Sequence, residues 1–322
     1  MQWQPHLNWQ QAQQRAHLIR LIRDFFQRRN VIEVETPLLS QGTITDVYLD
    51  AFSCRYDFLA EQPNLNFYLQ TSPEFAMKRL LASGYQSIFQ ICKAFRDEPH
   101  GSHHNPEFTM LEWYRVGFSQ HDLIEEVGEL LCSVLAVDGW HCYSYQEVFI
   151  EVLDLDPLTV ELEKLKRLLT EREMLSDWLA NSDDLDTLLQ FTFTELIEPN
   201  IGLDKPCFVY NFPASQASLA QINKTDPRVA ERFECYYRGL ELVNGFHELT
   251  DADEQRARFE ADNCKREQQG LPTRPLDERF LAALADGLPD CSGVALGVDR
   301  LIMLALEQSK ISQVLTFDIE RA

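Results

Sequence analysis

Arg96 and Glu98 flank Asp97 at the head of the run Phe95 to Phe108, FRDEPHGSHHNPEF, and His104 and Phe108 stand four apart at its tail. A guanidinium fixed on a strand can grip a phosphate through two hydrogen bonds, a nearby carboxylate can accept from an exocyclic amine, and an aromatic ring can stack on a base. Together they suit a nucleoside triphosphate. The alternative is a solvated Arg96–Glu98 ion pair across a loop, which would contribute little. The flanks say what positions the set. Ser87 to Arg96 alternates with period two, placing Ile88, Gln90, Cys92, Ala94 and Arg96 on one face. Downstream, Phe108, Met110, Glu112 and Tyr114 share a face while Leu111 and Trp113 take the other. The pattern predicts a long-looped antiparallel hairpin with chemistry on one face.

Glu241 to Glu248 reads ELVNGFHE. Asn244-Gly245 between apolar flanks predicts a tight hairpin, because a type I′ turn needs positive φ at both central residues. That turn would pair Val243 with Phe246, Leu242 with His247, and Glu241 with Glu248. Opposed carboxylates about 5 Å apart repel by roughly 3 kcal/mol at an effective dielectric near 20, so a cation is expected between them. Paired hard oxygens beside a triphosphate point to Mg²⁺, with a substrate ammonium as the other candidate. An exposed edge hairpin with two mildly repelling glutamates is the third possibility. His247, by alternation, points away from the carboxylates and reads as packing.

A third piece is Ser292 to Arg300, SGVALGVDR, followed by the apolar run Leu301 to Leu306. It predicts a glycine-punctuated strand feeding straight into a helix, with Gly293 and Gly297 present either for close backbone approach to a ligand or for packing.

Other elements follow from periodicity. Gln10 to Arg29 carries a helical stripe of Leu18, Leu21, Ile22, Phe25 and Phe26, then a strand from Val31 to Thr36 closed by Pro37. Arg15, Arg20, Arg23, Arg28 and Arg29 on that helix form its solvated face or a docking strip. Asp46 to Gln70 reads as strand-rich, and Thr71-Ser-Pro-Glu74 announces a helix with an N-cap and proline in its first turn. Thr159 to Glu198 is charged and helical in pattern, and Phe208 to Phe212 is a core strand.

The chain of 322 residues is 45% hydrophobic, enough for a substantial core, and its net charge of −22 repels polyanions at long range. Cysteines at 54, 92, 132, 142, 207, 235, 264 and 291 show no C-x-x-C spacing, which disfavours zinc and a disulfide framework. No leader pattern and no long apolar run is present, so a soluble, cytoplasmic protein is expected.

The three pieces, in this order, resemble the class II aminoacyl-tRNA synthetase catalytic domain. Arg96, Glu98 and Phe108 match that class's second signature, and Gly297, Asp299 and Arg300 its third. The helix and strand from Gln10 to Pro37 match the first, which in that class builds the dimer interface. Within the class, Asn105 to Tyr114 (NPEFTMLEWY) and Asn244 to Leu249 (NGFHEL) look lysine-type, and the likeness covers nearly the whole chain. Lysyl-tRNA synthetases carry an anticodon-reading barrel ahead of this core. Here the chain begins a few residues before the first-signature helix, so no anticodon-binding domain is expected, and the likeness is to the family of elongation factor P lysyltransferases.

The resemblance implies an α+β class II fold, an antiparallel sheet flanked by helices, as a single domain over residues 1–322 with a helical insertion at about 155–205. It implies an AMP-forming ligase that activates (R)-β-lysine, or lysine, as an adenylate and passes it to the ε-amino group of a specific lysine on elongation factor P. ATP would be held by Arg96, Asp97, Glu98, Asn105, Phe108, Glu241, Leu242, Gly297 and Arg300, with Arg96 on the α-phosphate and Arg300 on the distal phosphates or the base as the catalytic pair. The amino acid would meet Ser72, Pro73, Glu74, Glu112, Tyr114, Glu248 and Ala295, and Mg²⁺ would sit on Glu241 and Glu248. A homodimer is implied, without membrane or tRNA partners. Where lysyl-tRNA synthetases usually read GLGIGIDR, this chain reads GVALGVDR, so Ala295 replaces a glycine. The added methyl reshapes the pocket floor, in keeping with a displaced amino group on the substrate. Two alternatives stay open: a tRNA-charging lysyl synthetase fragment, and a catalytically silent regulatory paralogue, although Arg96, Glu98, Phe108, Glu241, Glu248 and Arg300 all remain.

Overall fold

The computed structural model describes residues 3–57 and 65–322. From the N-terminus run α1 (Trp9–Gln27), β1 (Ile32–Glu33), β2 (Leu39–Ser40), β3 (Ser53–Tyr56), β4 (Leu65–Leu69), α2 (Glu74–Ala82), β5 (Ile88–Phe95), β6 (Glu107–Val116) and α3 (Gln120–Leu135). There follow β7 (His141–Ser144), α4 (Tyr145–Leu153), α5 (Leu162–Glu171), α6 (Asp177–Ala180), α7 (Leu185–Thr192), β8 (Cys207–Pro213), β9 (Val229–Tyr237) and β10 (Leu240–His247). Last come α8 (Ala252–Gln268), α9 (Glu278–Gly287), β11 (Cys291–Gly297) and α10 (Val298–Ala305). The chain divides into two compact units.

The first unit comprises Met1–Ser119, Ser133–Ala136 and Glu248–Ala322. Its sheet runs β1, β5, β6, β11, antiparallel except that β1 is parallel to β5. The predicted hairpin forms with the predicted faces: Gln90 pairs with Glu112, Cys92 with Met110 and Ala94 with Phe108. One face is covered. Asn8 and Gln11 close a capping box at the start of α1, whose Leu18, Ile22, Phe25 and Phe26 are buried. Phe26 stacks on Phe89 at 4.5 Å and meets Trp113 edge-on at 5.2 Å. Glu112 and Tyr114 are left to the other face.

Arg15 is neither solvated nor part of a docking strip, because Asp299 at the head of α10 needs a counter-charge. Its guanidinium lies 2.6 Å from Asp299 Oδ1, whose side chain is 2% exposed, while Asp299 Oδ2 accepts from Thr109 N at 2.6 Å. Arg23 pairs with exposed Glu33, and Arg29 lies 3.6 Å over the Phe25 ring. The strand predicted at Val31 to Thr36 shrinks to two residues. Val34 N still donates to Phe89 O, but the Thr36 hydroxyl turns to the Gln90 side chain just before Pro37, which has no N–H to continue a ladder. In the stretch expected to be strand-rich, β3 and β4 form a small sheet with β2; residues 58–64 lie outside the described residues. Phe75 of α2 stacks on Phe280 of α9 at 4.5 Å, which fixes α2 beside the sheet.

The second unit comprises Gln120–Cys132 and Val137–His247. Its strands run β10, β9, β8, β7, antiparallel but for the β7–β8 pair, so the sheets are mixed rather than purely antiparallel. Tyr145, Phe149, Phe193 and Phe212 form the centre of its core, with Leu165 of α5 and Leu188 of α7 packed into the same cluster. These helices occupy the segment expected to be a helical insertion.

β10 runs unbroken through Asn244 and Gly245, so no hairpin forms there. Neither residue has positive φ. The glycine answers a different demand: a Cβ on Gly245 would lie 2.4 Å from the Phe233 ring of β9. Glu241 is accordingly paired with Tyr236 across the ladder, not with Glu248.

Among the described residues no helix is long and apolar enough to cross a membrane. All eight cysteines are free thiols.

Candidate active site

Glu112 sits in mid-strand, 2% exposed, which a carboxylate tolerates only when its oxygens are engaged. Tyr114, two residues along the same face, donates its hydroxyl to Glu112 Oε1 at 2.6 Å, and Ser72 Oγ donates to Oε2 at 2.7 Å. Ser72 Oγ also accepts from Glu74 N at 3.0 Å. The expected N-cap with proline in the first turn does not form: Pro73 itself occupies the N-cap position without a side-chain cap bond, and Ser72, one residue earlier, orients the Glu112 carboxylate. Burial, reinforced by the charge of Glu74, pushes the Glu112 carboxyl up to about 8, against the hydrogen bonds from Tyr114 and Ser72. Burial and the Glu112 charge hold the Tyr114 phenol well above its ordinary range.

One turn into α2 stands Lys78, which sequence reasoning missed. Its Nζ lies 2.6 Å from Glu74 Oε1 and 2.5 Å from Glu248 Oε2, with the Lys78 and Glu248 side chains each 1% exposed. Burial alone would lower the lysine's pKa, but the Glu248 and Glu74 charges outweigh it and raise it, so the ammonium persists. The only sequence signal was the Glu74–Lys78 spacing of i,i+4, which ordinarily marks an exposed helical pair.

β11 closes the cluster. Gly293 pairs with Tyr114, Ala295 with Glu112 and Gly297 with Met110. A Cβ on Gly293 would lie 2.2 Å from the Tyr114 ring and 2.4 Å from Glu248 Oε1, so packing against these side chains requires the glycine. At Gly297 a Cβ would meet nothing nearer than the Arg300 side chain at 3.7 Å, and packing does not require it. The result is a buried cluster in which the carboxylates of Glu74 and Glu248 share one lysine and Glu112, held by Tyr114 and Ser72, stands beside them. Such an excess of negative charge calls for a cationic ligand.

The predicted nucleotide residues of this unit gather at the loop joining β5 to β6. The Arg96 guanidinium lies 5.2 Å from the Phe108 ring centroid, and its 3.9 Å approach to Glu98 is long and a third exposed, too weak to be its purpose. Asp97 donates its backbone N–H to Asp50 O. In the first turn of α10, Arg300 reaches back to His104 Nε2 at 2.7 Å and His103 O at 3.3 Å. Burial, then the Arg300 charge, lowers both histidines' pKa values, leaving His104 neutral and able to accept. Asn105 is held by Glu107 O and by Ile319 N.

Glu241 and Leu242 belong to the second unit. Glu241 lies beside a bulge that shifts the register before Val243, with the charge of Arg232 nearby, and Leu242 is buried. The cation expected for Glu248 proves to be Lys78, so this carboxylate does not fit a metal ligand. Among the described residues no group of three or more His, Cys, Asp or Glu is placed to hold a metal ion. His247 is more than packing: its Nδ1 is bonded to Glu231 on the neighbouring strand, and Asn223 donates to the same carboxylate at 3.1 Å.

Residues 6–321 match the model of the class II tRNA synthetases of the D, K and N type. The elongation factor P--(R)-beta-lysine ligase of Pectobacterium atrosepticum is 53% identical over 320 residues, covering 99% of this chain and 98% of that protein. The proteins of the same name from Klebsiella pneumoniae strain 342 and Pseudoalteromonas translucida are also 53% identical over 320 residues, with the same coverage.

Proposed function

The chain belongs to the class II tRNA synthetase family of the D, K and N type, and we propose that it is an ATP-dependent ligase that activates lysine, with (R)-β-lysine preferred, and transfers it to a lysine ε-amino group on elongation factor P. The observation that carries this reading is the buried cluster where Glu74, Glu112 and Glu248 gather around a single lysine cation that pairs with two of them. A diamino acid brings a second ammonium group that a neutral amino acid lacks, and so offsets more of the surplus charge. The names and coverage of the relatives support the acceptor.

The chemistry follows from position. The amino-acid carboxylate attacks the α-phosphorus of ATP, pyrophosphate leaves, and the acceptor amine then displaces AMP to form an amide. Phe108 stacks on adenine, Arg96 meets the α-phosphate, and Arg300 meets the distal phosphates; no protein nucleophile is required. Glu241 would hold Mg²⁺, which supplies phosphate charge neutralisation, while Glu248 stays with Lys78 and serves the amino acid. Glu112 and Tyr114 receive one ammonium, and Ser72, by bonding Glu112, fixes its angle. Ala295, paired with Glu112, narrows the floor where the two lysine isomers differ. The enzyme works in the cytoplasm as a homodimer, and tRNA is not its acceptor.

The test is to incubate the protein with Mg-ATP and labelled (R)-β-lysine, adding elongation factor P to one reaction and bulk tRNA to another. Label on the factor alone is expected. Label on tRNA would restore the synthetase reading, and label on neither would reject the amino acid or the acceptor.

A further inference from the structure

Asn105 is 9% exposed, and both ends of its carboxamide are engaged: Nδ2 donates to Glu107 O at 2.5 Å and Oδ1 accepts from Ile319 N–H at 3.0 Å. A backbone N–H only donates and a carbonyl only accepts, so these partners admit one orientation of the amide. A flip would set donor against donor and acceptor against acceptor. Nδ2 carries a second proton that neither of these partners uses.

The chain that supplies the Ile319 N–H is itself pinned at several points. Thr316 O accepts from His6 N at 2.8 Å, and Asp318 Oδ2 lies 3.1 Å from His6 Nε2. Glu320 Oε1 lies 3.0 Å from His100 Nε2, and Arg321 donates to Gln4 O at 3.2 Å. Upstream, Ile311 N donates to Ser102 O at 2.8 Å. The segment thus grips the loop from His100 to Asn105 at its start, middle and end, with residues 4–6 holding the segment from behind.

We infer that residues 311–321 are a positioning brace for the nucleotide: through the Ile319 N–H they hold Asn105 as a hydrogen-bond donor facing an acceptor atom of ATP, a phosphate oxygen, a ribose hydroxyl or a ring nitrogen. The inference rests on the proposed assignment of Asn105 to ATP and adds both the polarity of that contact and the segment that sets it. Ile319 is a positioning residue, acting through its backbone.

Two variants cut this bond by different routes: Ile319→Pro, which removes the N–H, and truncation after Asp318. The readout is the dissociation constant for a non-hydrolysable ATP analogue with Mg²⁺, with lysine binding and thermal melting measured in parallel. One oriented hydrogen bond corresponds to a weakening of about three- to tenfold for the analogue, with lysine affinity within about twofold. Ile319→Ala keeps the N–H and is expected to retain tight nucleotide binding. Asn105→Ala separates the two layers. Weakened nucleotide binding there, with both tail variants unaffected, overturns the brace alone; unchanged binding in Asn105→Ala overturns the assignment of Asn105 and the brace with it. Loss of the cooperative melt, or equal weakening of both ligands, assigns the tail a purely structural role and also overturns the inference.

Discussion

Lys78 Nζ lies 2.5 Å from a carboxylate oxygen of Glu248, and both side chains are 1% exposed. The pair brings together α2 and the segment after β10, and it supplies the cation that the sequence pattern had assigned to a metal. A buried pair is weak proof of net stabilisation, but removing one partner strands the other. Lys78→Met is therefore expected to lower unfolding free energy by about 3–5 kcal/mol, read from denaturant melts. Lys78→Met combined with Glu74→Gln and Glu248→Gln should recover part of that loss, since the uncompensated charges go with the lysine. If the single variant melts like the parent, the carboxylates are not relying on Lys78.

The same cluster sets a pH dependence. Glu112 is pushed up to about 8 by burial and by Glu74. A carboxyl whose pKa is raised on folding binds more protons folded than unfolded, so its contribution lowers stability as pH rises from the usual 4.5 to about 8, and the cost is complete above that. A bound ammonium offsets that repulsion and favours the ionised form. Lysine binding near pH 6–7 should then release about one proton, fading to none well above pH 8. Calorimetry in buffers of different ionisation enthalpy measures this; uptake of protons, or none exchanged at any pH, would remove Glu112 from contact with the ammonium.

Gly293 tests the closeness of β11 to the Tyr114–Glu248 cluster. A Cβ added there would stand 2.2 Å from the Tyr114 ring and 2.4 Å from Glu248 Oε1, so Gly293→Ala must displace a buried ring or a paired carboxylate. Overpacking of this kind costs about 1–3 kcal/mol, and lysine affinity should fall with it. A melt and a lysine titration indistinguishable from the parent would mean that the strand has room to move.

The legible parts of this protein were those where local pattern and tertiary role agree. Period two placed Glu112 and Tyr114 on one face and Leu111 and Trp113 on the other, and the β5–β6 register follows that division. The helical stripe of Leu18, Ile22, Phe25 and Phe26 is the buried face of α1. Asn244-Gly245 misled because glycine has two uses: a turn needs its positive φ, whereas β10 needs its missing side chain against Phe233. Lys78 and Arg15 were invisible for another reason. Each is a charged residue on a helix whose partner, Glu248 or Asp299, lies far along the chain, and spacing reports only neighbours. The role of Ile319 is carried by a backbone N–H, which no residue type encodes.

Ala295 bears on the choice between lysine isomers. It pairs with Glu112 across the β11–β6 ladder, at the position where the lysine-type pattern has glycine. With Ala295 assigned to the pocket floor under the proposed function, its methyl reshapes that floor in a way that suits a displaced amino group better than an α-ammonium. Ala295→Gly should therefore raise kcat/KM for α-lysine relative to (R)-β-lysine. One methyl group is worth about 0.8 kcal/mol, so the ratio should move by about fourfold. Adenylate formation followed by pyrophosphate exchange with each isomer gives the ratio without involving the acceptor. Should the ratio stay fixed while both rates survive, the methyl would not be what selects the isomer, and selection would pass to the carboxylates themselves. Glu112→Gln, which keeps the shape and removes the charge, would then be expected to shift the ratio where Ala295→Gly had not.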